Sequence, residues 1–278
     1  MRRSTRLLAI ALPVALATVP VALAGADSAA GDRDSGAVPV AHDPLVDPEA
    51  ATSIAAAAST KAAASVAAEA LAKATRPPPA AIVAVAPGRT VVLRVRPGGP
   101  VALRVGDTTE FGSRQRLGVV RRAGRWLGVT TPELPNGTLG WLERRSPAVE
   151  VRRTNWSIVA DVSRRTVVLR RAGKPVRRLS VAVGRPGSPT PTGRFAVTDK
   201  LSGGDYGSYY GCCILALSAT QPNTPPGWTG GDRMAIHGTS DPGSIGAAAS
   251  AGCLRAADGD LEYLMGRAPL GTPVVIRR

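Results

Sequence analysis

The chain has 278 residues, with 35 lysines and arginines against 20 aspartates and glutamates, a formal charge of +15, two histidines and 4% aromatic residues. Its basic residues are scattered doublets such as Arg121-Arg122, Arg152-Arg153 and Arg177-Arg178; with so few rings for base stacking, nucleic acid is not an expected partner. Three cysteines without a Cys-x-x-Cys pair supply no zinc set, and the odd count leaves at least one thiol free or intermolecular.

The chain opens as an export signal. Arg2, Arg3 and Arg6 form a basic head, residues 7–24 are apolar, and Ala22-Leu23-Ala24 is the small-x-small pattern of a signal-peptidase site. A retained anchor is the alternative, but the apolar run is near the lower limit for spanning a bilayer and contains Pro13 and Pro20. No cysteine stands directly after the cleavage site, and no second segment is apolar enough to span a membrane. The expected location is the periplasm, the cell wall or the outside of the cell. Removing residues 1–24 takes away three arginines and no acid, so the remainder stays basic and is drawn to anionic wall or headgroup surfaces.

Residues 25–46 are polar, small and proline-containing, which predicts disorder. Asp47 then offers an N-cap and Pro48 a first helical position, followed by an alanine-rich run to residue 74 that Pro77-Pro78-Pro79 ends. Such a helix has high propensity but little side chain to bury, so residues 25–79 read as a linker.

From residue 80 short apolar alternations separated by glycine and proline predict an all-β module over 80–150. The expected strands are 90–95, 101–105, 117–120, 126–130 and 139–142, with turns at Pro97-Gly98-Gly99 and Pro135-Asn136-Gly137. About sixty residues suffice for one small β-barrel. The elements Gly124-Arg125-Trp126-Leu127 and Gly140-Trp141 resemble the bacterial Src-homology-3-like domains that precede catalytic domains in some cell-wall enzymes, although Trp126 and Trp141 serve equally well as core.

A second β-rich segment runs over 154–278, with strands expected at 157–162, 166–170, 176–183, 194–198, 212–217, 234–237 and 273–277. Ser163-Arg164-Arg165 reads as a hairpin connection and Pro189-Thr190-Pro191-Thr192-Gly193 as a rigid loop. The Gly-, Tyr-, Pro- and Ser-rich stretch 201–233 is long enough to predict a lid or a binding edge. A short helix is expected over 258–265, with acids in its first turn and Leu261 and Leu264 turned inward. Cys212 and Cys213 are neighbours, which bridge only with a strained peptide geometry, so they are expected as small buried hydrophobes.

Chemistry concentrates near the C-terminus. His42 lies in a proline- and aspartate-punctuated tract, which leaves His237 as the usable imidazole, sixteen positions before Cys253. A cysteine attacks as thiolate, and a nearby histidine can activate it. Gly252 before the cysteine lets backbone N–H groups approach a substrate carbonyl, as an oxyanion site requires. A core histidine and a structural thiol would give the same spacing.

The run His237-Gly238-Thr239, then Ser244-Ile245-Gly246, then Ser250, Gly252, Cys253 and Arg255 resembles the signature of the YkuD-type L,D-transpeptidase catalytic domain. The likeness extends to Val181-Ala182-Val183-Gly184, Pro189-Thr190-Pro191-Thr192-Gly193-Arg194-Phe195 and Gly271-Thr272-Pro273-Val274, and covers 154–278. The resemblance implies an enzyme of peptidoglycan biosynthesis and cell wall biogenesis. Its thiolate attacks the amide between the third residue of a donor stem peptide and the terminal D-alanine; the thioester passes to the side-chain amine of a neighbouring stem, or to water. Carried over residue by residue, Cys253 matches the nucleophile and His237 its base, and Gly252 and Cys253 offer oxyanion donors. Gly238, Thr239 and Ser250 fall in the matching motif, and Arg255 either contacts substrate or braces its loop. Ala251 replaces a histidine, and Gly238 a serine, found in other members, so a backbone carbonyl is the expected partner orienting the imidazole. Thiol chemistry of this kind needs no metal and no organic cofactor. The expected partners are peptidoglycan stem peptides, with membrane or wall surface association, and the chain is expected as a monomer. Two rivals remain: a sortase-type thiol transpeptidase, which separates His and Cys by far more chain, and a wall-binding domain without activity.

Overall fold

The computed structural model describes residues 80–229 and 231–278; the expected signal, disordered tract and alanine-rich helix lie outside the described residues. Two large sheets and one small one make up the described part. The first sheet is wholly antiparallel. It is built from β1 (Ala80–Val85), β2 (Val91–Arg94), β3 (Val101–Val105), β4 (Arg116–Ala123), β5 (Trp126–Thr130), β6 (Gly140–Glu143) and β7 (Val149–Thr154), in the spatial order β3-β2-β6-β5-β4-β1-β7. Alternation places Val83, Leu93, Leu117, Leu127 and Leu142 in one core. No hydrogen-bonded pairing joins the edge strands β3 and β7 among the described residues.

Four of these strands, β2, β3, β5 and β6, match the sequence reading within a residue at either end, and β4 runs three residues further. Two were not anticipated. β1 is apolar along nearly its whole length and buried at five of six positions, so it carries no period-two signal. β7 alternates with arginine and glutamate and pairs with β1 along all six residues, so the first sheet extends past residue 150 to Thr154.

The second sheet contains β8 (Trp156–Asp161), β9 (Thr166–Arg171), β10 (Lys174–Ser180), β12 (Gly193–Ser202), β13 (Cys213–Thr220), β14 (Arg233–His237), β16 (Leu254–Arg255) and β17 (Pro273–Arg277), in the order β10-β9-β8-β17-β12-β13-β14-β16. The short β11 (Val183–Gly184) and β15 (Ala248–Ser250) pair with each other in parallel. Between β9 and β10 the chain turns through Ala172 and Gly173, both at positive φ, the two-residue geometry that follows the right-handed twist of a hairpin. β12 bridges the sheet: its first residues pair with β17 and its last with β13, and a register shift falls between Val197 and Asp199. The helix α1 (Asp258–Arg267) follows β16, with Asp258 and Asp260 in its first turn, Arg267 in its last, and Leu261 and Leu264 buried three residues apart against the sheet.

The two large sheets meet closely. A Cβ added to Gly118 on β4 would sit 2.5 Å from Ala196 Cβ on β12, and one added to Gly271 would sit 2.4 Å from Ile82 on β1. Polar bonds flank this contact: Ser218 Oγ donates to Thr130 Oγ1 at 3.0 Å, and the Asn136 amide donates to Thr220 O at 2.6 Å while accepting from Thr220 N at 3.0 Å.

Candidate active site

β14 lies between β13 and β16, antiparallel to the first and parallel to the second. Ile236 pairs with Leu254, and both are buried in the core of the second sheet. Side chains alternate along a strand, so Ala235 and His237 share the opposite face, as do Cys253 and Arg255. His237 and Cys253 line one cavity of about 440 Å³.

His237 is almost completely buried, at 1% exposure. Its Nδ1 lies 2.6 Å from the carbonyl oxygen of Gly238, which selects the tautomer that donates from Nδ1 and leaves Nε2 as the basic nitrogen. The backbone carbonyl expected to orient the imidazole is therefore that of the next residue. Burial pushes the His237 pKa down to about 4; the bond to Gly238 opposes this and the Arg255 charge adds to it. The ring is neutral at neutral pH. Tyr209 and Tyr210 pack against it at centroid distances of 5.7 and 4.9 Å. Burial also lifts the Tyr210 phenol to about 12, aided by the proximity of Cys253, so it stays protonated.

Cys253 carries the free thiol. Its Sγ is 4.0 Å from the backbone carbonyl of Arg233, so the sulfur has a main-chain acceptor rather than the imidazole as its hydrogen-bond partner. Burial raises the thiol pKa, and the Ala235 N–H and the Arg255 charge counter it in part. With the imidazole depressed and the thiol raised, the resting pair is neutral.

The loop bearing Cys253 is fastened at several main-chain atoms. Ser250 Oγ donates to Cys253 O at 2.6 Å and accepts from Gly252 N at 3.0 Å. Thr190 Oγ1 donates to Gly252 O at 2.7 Å and accepts from Gly184 N at 2.9 Å. Gln221 Nε2 donates to Ala251 O at 2.9 Å and to Pro189 O at 3.1 Å. Gly252 has φ +126°, and a Cβ there would stand 2.1 Å from Gln221 Nε2, so both conformation and space demand glycine. The Gly252 N–H, expected as an oxyanion donor, is instead engaged by Ser250 Oγ.

The remaining motif residues sit behind the cavity. Thr239 N donates to Asp258 Oδ1 at 3.2 Å, and its hydroxyl accepts from Asp241 N at 3.0 Å, docking the segment after the histidine onto the start of α1. Gly238 is required by packing, because a Cβ would come within 2.2 Å of that Asp258 oxygen. Arg255 is buried, with its guanidinium 4.7 Å above the Tyr209 ring and Nη2 donating to the Tyr209 hydroxyl. Of its two expected roles, bracing is the one its contacts display.

Cys212 and Cys213, expected as small buried hydrophobes, are joined to each other as a disulfide. Cys213 is buried in the core, as expected, while Cys212 is half-buried and its Sγ lies 3.6 Å from Asp258 O. Gln221, Tyr209 and Tyr210 were not singled out in the sequence. All three fall within the long 201–233 stretch, whose composition was the available signal. Nothing in the sequence pointed to Glu110 and Phe111, which line the cavity from the first sheet.

A buried neutral imidazole and an unbridged thiol facing one cavity in a β-rich domain can carry out thiol-based acyl transfer. Residues 155–276 match the family model described as YkuD, L,D-transpeptidase catalytic domain. The chain is similar to the YkuD proteins of Bacillus subtilis (strain 168), at 31% identity over 125 residues, and of Bacillus licheniformis, at 32% over 123 residues. Each alignment covers 44% of this chain; it spans 66% of the first relative and 65% of the second, just under two thirds. Among solved structures, an L,D-transpeptidase from Mycobacterium smegmatis aligns at 16% identity over 70% of this chain and 99% of its own, with a TM-score of 0.38. The catalytic domain of the Enterococcus faecium L,D-transpeptidase aligns at 22% identity over 45% of this chain and 99% of its own, with a TM-score of 0.32.

Proposed function

We propose that the protein is a peptidoglycan L,D-transpeptidase acting through Cys253. The observation that carries this reading is the unbridged Cys253 thiol sharing a cavity with neutral His237 inside the segment that matches the family. Nε2 of His237 accepts the thiol proton as sulfur attacks the carbonyl carbon between the third residue of a donor stem peptide and its terminal D-alanine. The tetrahedral intermediate collapses when imidazolium returns that proton to the leaving amine, D-alanine departs, and a thioester remains. An acceptor side-chain amine then attacks the thioester, giving up a proton to His237 while the thiol is regenerated, and a cross-link results. In this scheme the Cys253 N–H meets the developing oxyanion, and Gly252 contributes its shape, because its own N–H is bonded to Ser250.

The surrounding assignments belong to the same reading. Residues 1–24 direct export, 25–79 form a spacer, and the first sheet is a Src-homology-3-like module ahead of the catalytic domain. The chain acts as a monomer at the wall, to which its positive charge draws it.

Incubation with purified disaccharide-tetrapeptide, followed by intact-protein mass and product identification, tests the proposal. Thioester on wild type, cross-linked product, and neither with Cys253→Ala are expected. Turnover retained by Cys253→Ala would overturn it.

A further inference from the structure

Ten residues connect β3 to β4, and this loop reaches across to the second sheet. It is internally tied: Gly112 N donates to Thr109 O at 3.0 Å, Thr109 N to Ser113 O at 2.8 Å, and Gln115 N to Asp107 O at 2.7 Å. Three consecutive side chains then engage the partner sheet. Thr109 Oγ1 donates to Oδ1 of Asp199, a carboxylate with no exposed surface. Glu110 Oε1 accepts from Arg233 Nη2 at 2.5 Å. Phe111 lies beneath the Arg233 guanidinium at 5.5 Å and meets Tyr206 edge-on at 6.2 Å.

Arg233 is the residue whose carbonyl faces Cys253 Sγ. Its guanidinium also donates to Thr198 Oγ1 at 3.2 Å and stands 3.8 Å from Asp199 Oδ2, so the loop joins a buried polar network rather than a loose surface contact. From Phe111 a chain of edge-to-face rings runs through Tyr206 and Tyr210 to His237, at 6.2, 6.4 and 4.9 Å. Glu110 and Phe111 both line the cavity that holds Cys253. Its volume of about 440 Å³ suits a ligand of a few residues.

We infer that the N-terminal sheet supplies part of the substrate site, with Glu110 and Phe111 as specificity-determining residues for the peptide that reaches Cys253. The module is then a wall of the catalytic cavity and not merely a tether to the cell wall. Phe111 offers an apolar ring to the bound peptide, and Glu110, exposed at the rim, presents a carboxylate to its polar groups. Because Thr109 and Arg233 hold the loop in place, the wall is formed before substrate arrives. This inference rests on the stem-peptide reading proposed above.

Two rates measured on the full chain separate the possibilities. Acylation by disaccharide-tetrapeptide reports on the whole cavity, whereas alkylation by iodoacetamide is small enough to report on the thiol alone. Phe111→Ala and Glu110→Gln are expected to raise KM for acylation by about three- to tenfold, the worth of one aromatic or polar contact, with kcat within about twofold. Phe111→Tyr should restore wild-type KM, and iodoacetamide should modify all variants at the wild-type rate. Wild-type KM in both Phe111→Ala and Glu110→Gln overturns the inference while leaving the L,D-transpeptidase reading standing, as does an equal fall of both rates, which would mark a structural role. A wild-type chain that no stem peptide acylates overturns the parent reading and this inference with it.

Discussion

His237 and Gly238 are locked to each other, Nδ1 of the ring 2.6 Å from the carbonyl oxygen of the following residue, inside a shell that leaves the histidine 1% exposed. A side chain so placed folds neutral, and its pKa falls from an unfolded value of about 6.5 to about 4. The unfolded chain therefore binds the proton more readily, so this contribution to stability is complete above the unfolded pKa and is lost as pH falls through the folded one. Between pH 6.5 and 4 wild type is expected to lose up to about 3 kcal/mol through this group. His237→Gln should lack that part of the slope, and urea melts across the range check it.

Cys253 should behave as a protonated thiol at rest, because burial raises its pKa and the neighbouring imidazole carries no charge. The iodoacetamide rate is expected to climb through and beyond the ordinary thiol pKa of about 8.5. A plateau reached near pH 6 would instead reveal a preformed thiolate–imidazolium pair.

Alkylation without reductant should place one label per chain, on Cys253, since Cys212 and Cys213 are bonded to each other. After reduction under denaturing conditions three labels are expected. Peptide mapping distinguishes these outcomes.

Gln221 ties Ala251 O and Pro189 O from one amide nitrogen. Gln221→Ala leaves both carbonyls without that donor and should destabilise the fold by about 1–3 kcal/mol, with a lower acylation rate as the Cys253 loop loosens. Gly252→Ala is expected to be worse, since its Cβ would collide with the same nitrogen at 2.1 Å and the backbone is held at φ +126°. Thermal melts and single-turnover acylation of the two variants give the order.

Asp199 and Arg233, both on the second sheet, provide a test of the polar network that receives the loop between β3 and β4. Asp199 has no exposed surface, and its Oδ2 has no hydrogen-bond partner apart from the Arg233 charge 3.8 Å away. Arg233→Met strands that carboxylate and should cost about 3–5 kcal/mol, whereas the double variant Arg233→Met with Asp199→Leu should recover much of the loss. A double-mutant cycle by urea denaturation measures the coupling.

The local elements of this protein are written in nearest-neighbour chemistry. Val101–Val105, Trp126–Thr130 and Pro273–Arg277 have the ends that alternation and turn residues predict, and the helix at Asp258 begins where its acids place it. The segment later matched by the family model was legible too, because its motif residues lie close together in sequence. Other features escaped for identifiable reasons. β1 has no polar face to give it a period, and β7 carries arginines that open strand edges tolerate but a hydrophobic pattern does not register.

What tertiary structure alone decided is which distant side chains meet. Glu110 and Arg233 are 123 residues apart, yet they close one rim of the cavity. Gln221 and Ala251 are 30 apart, yet one holds the loop of the other. The Gly252 N–H, open on the motif alone, becomes occupied once Ser250 folds over it. Periodicity reports which face of a strand is dry; it carries no term for what packs against that face, and the proton affinities of His237 and Cys253 are set by that packing.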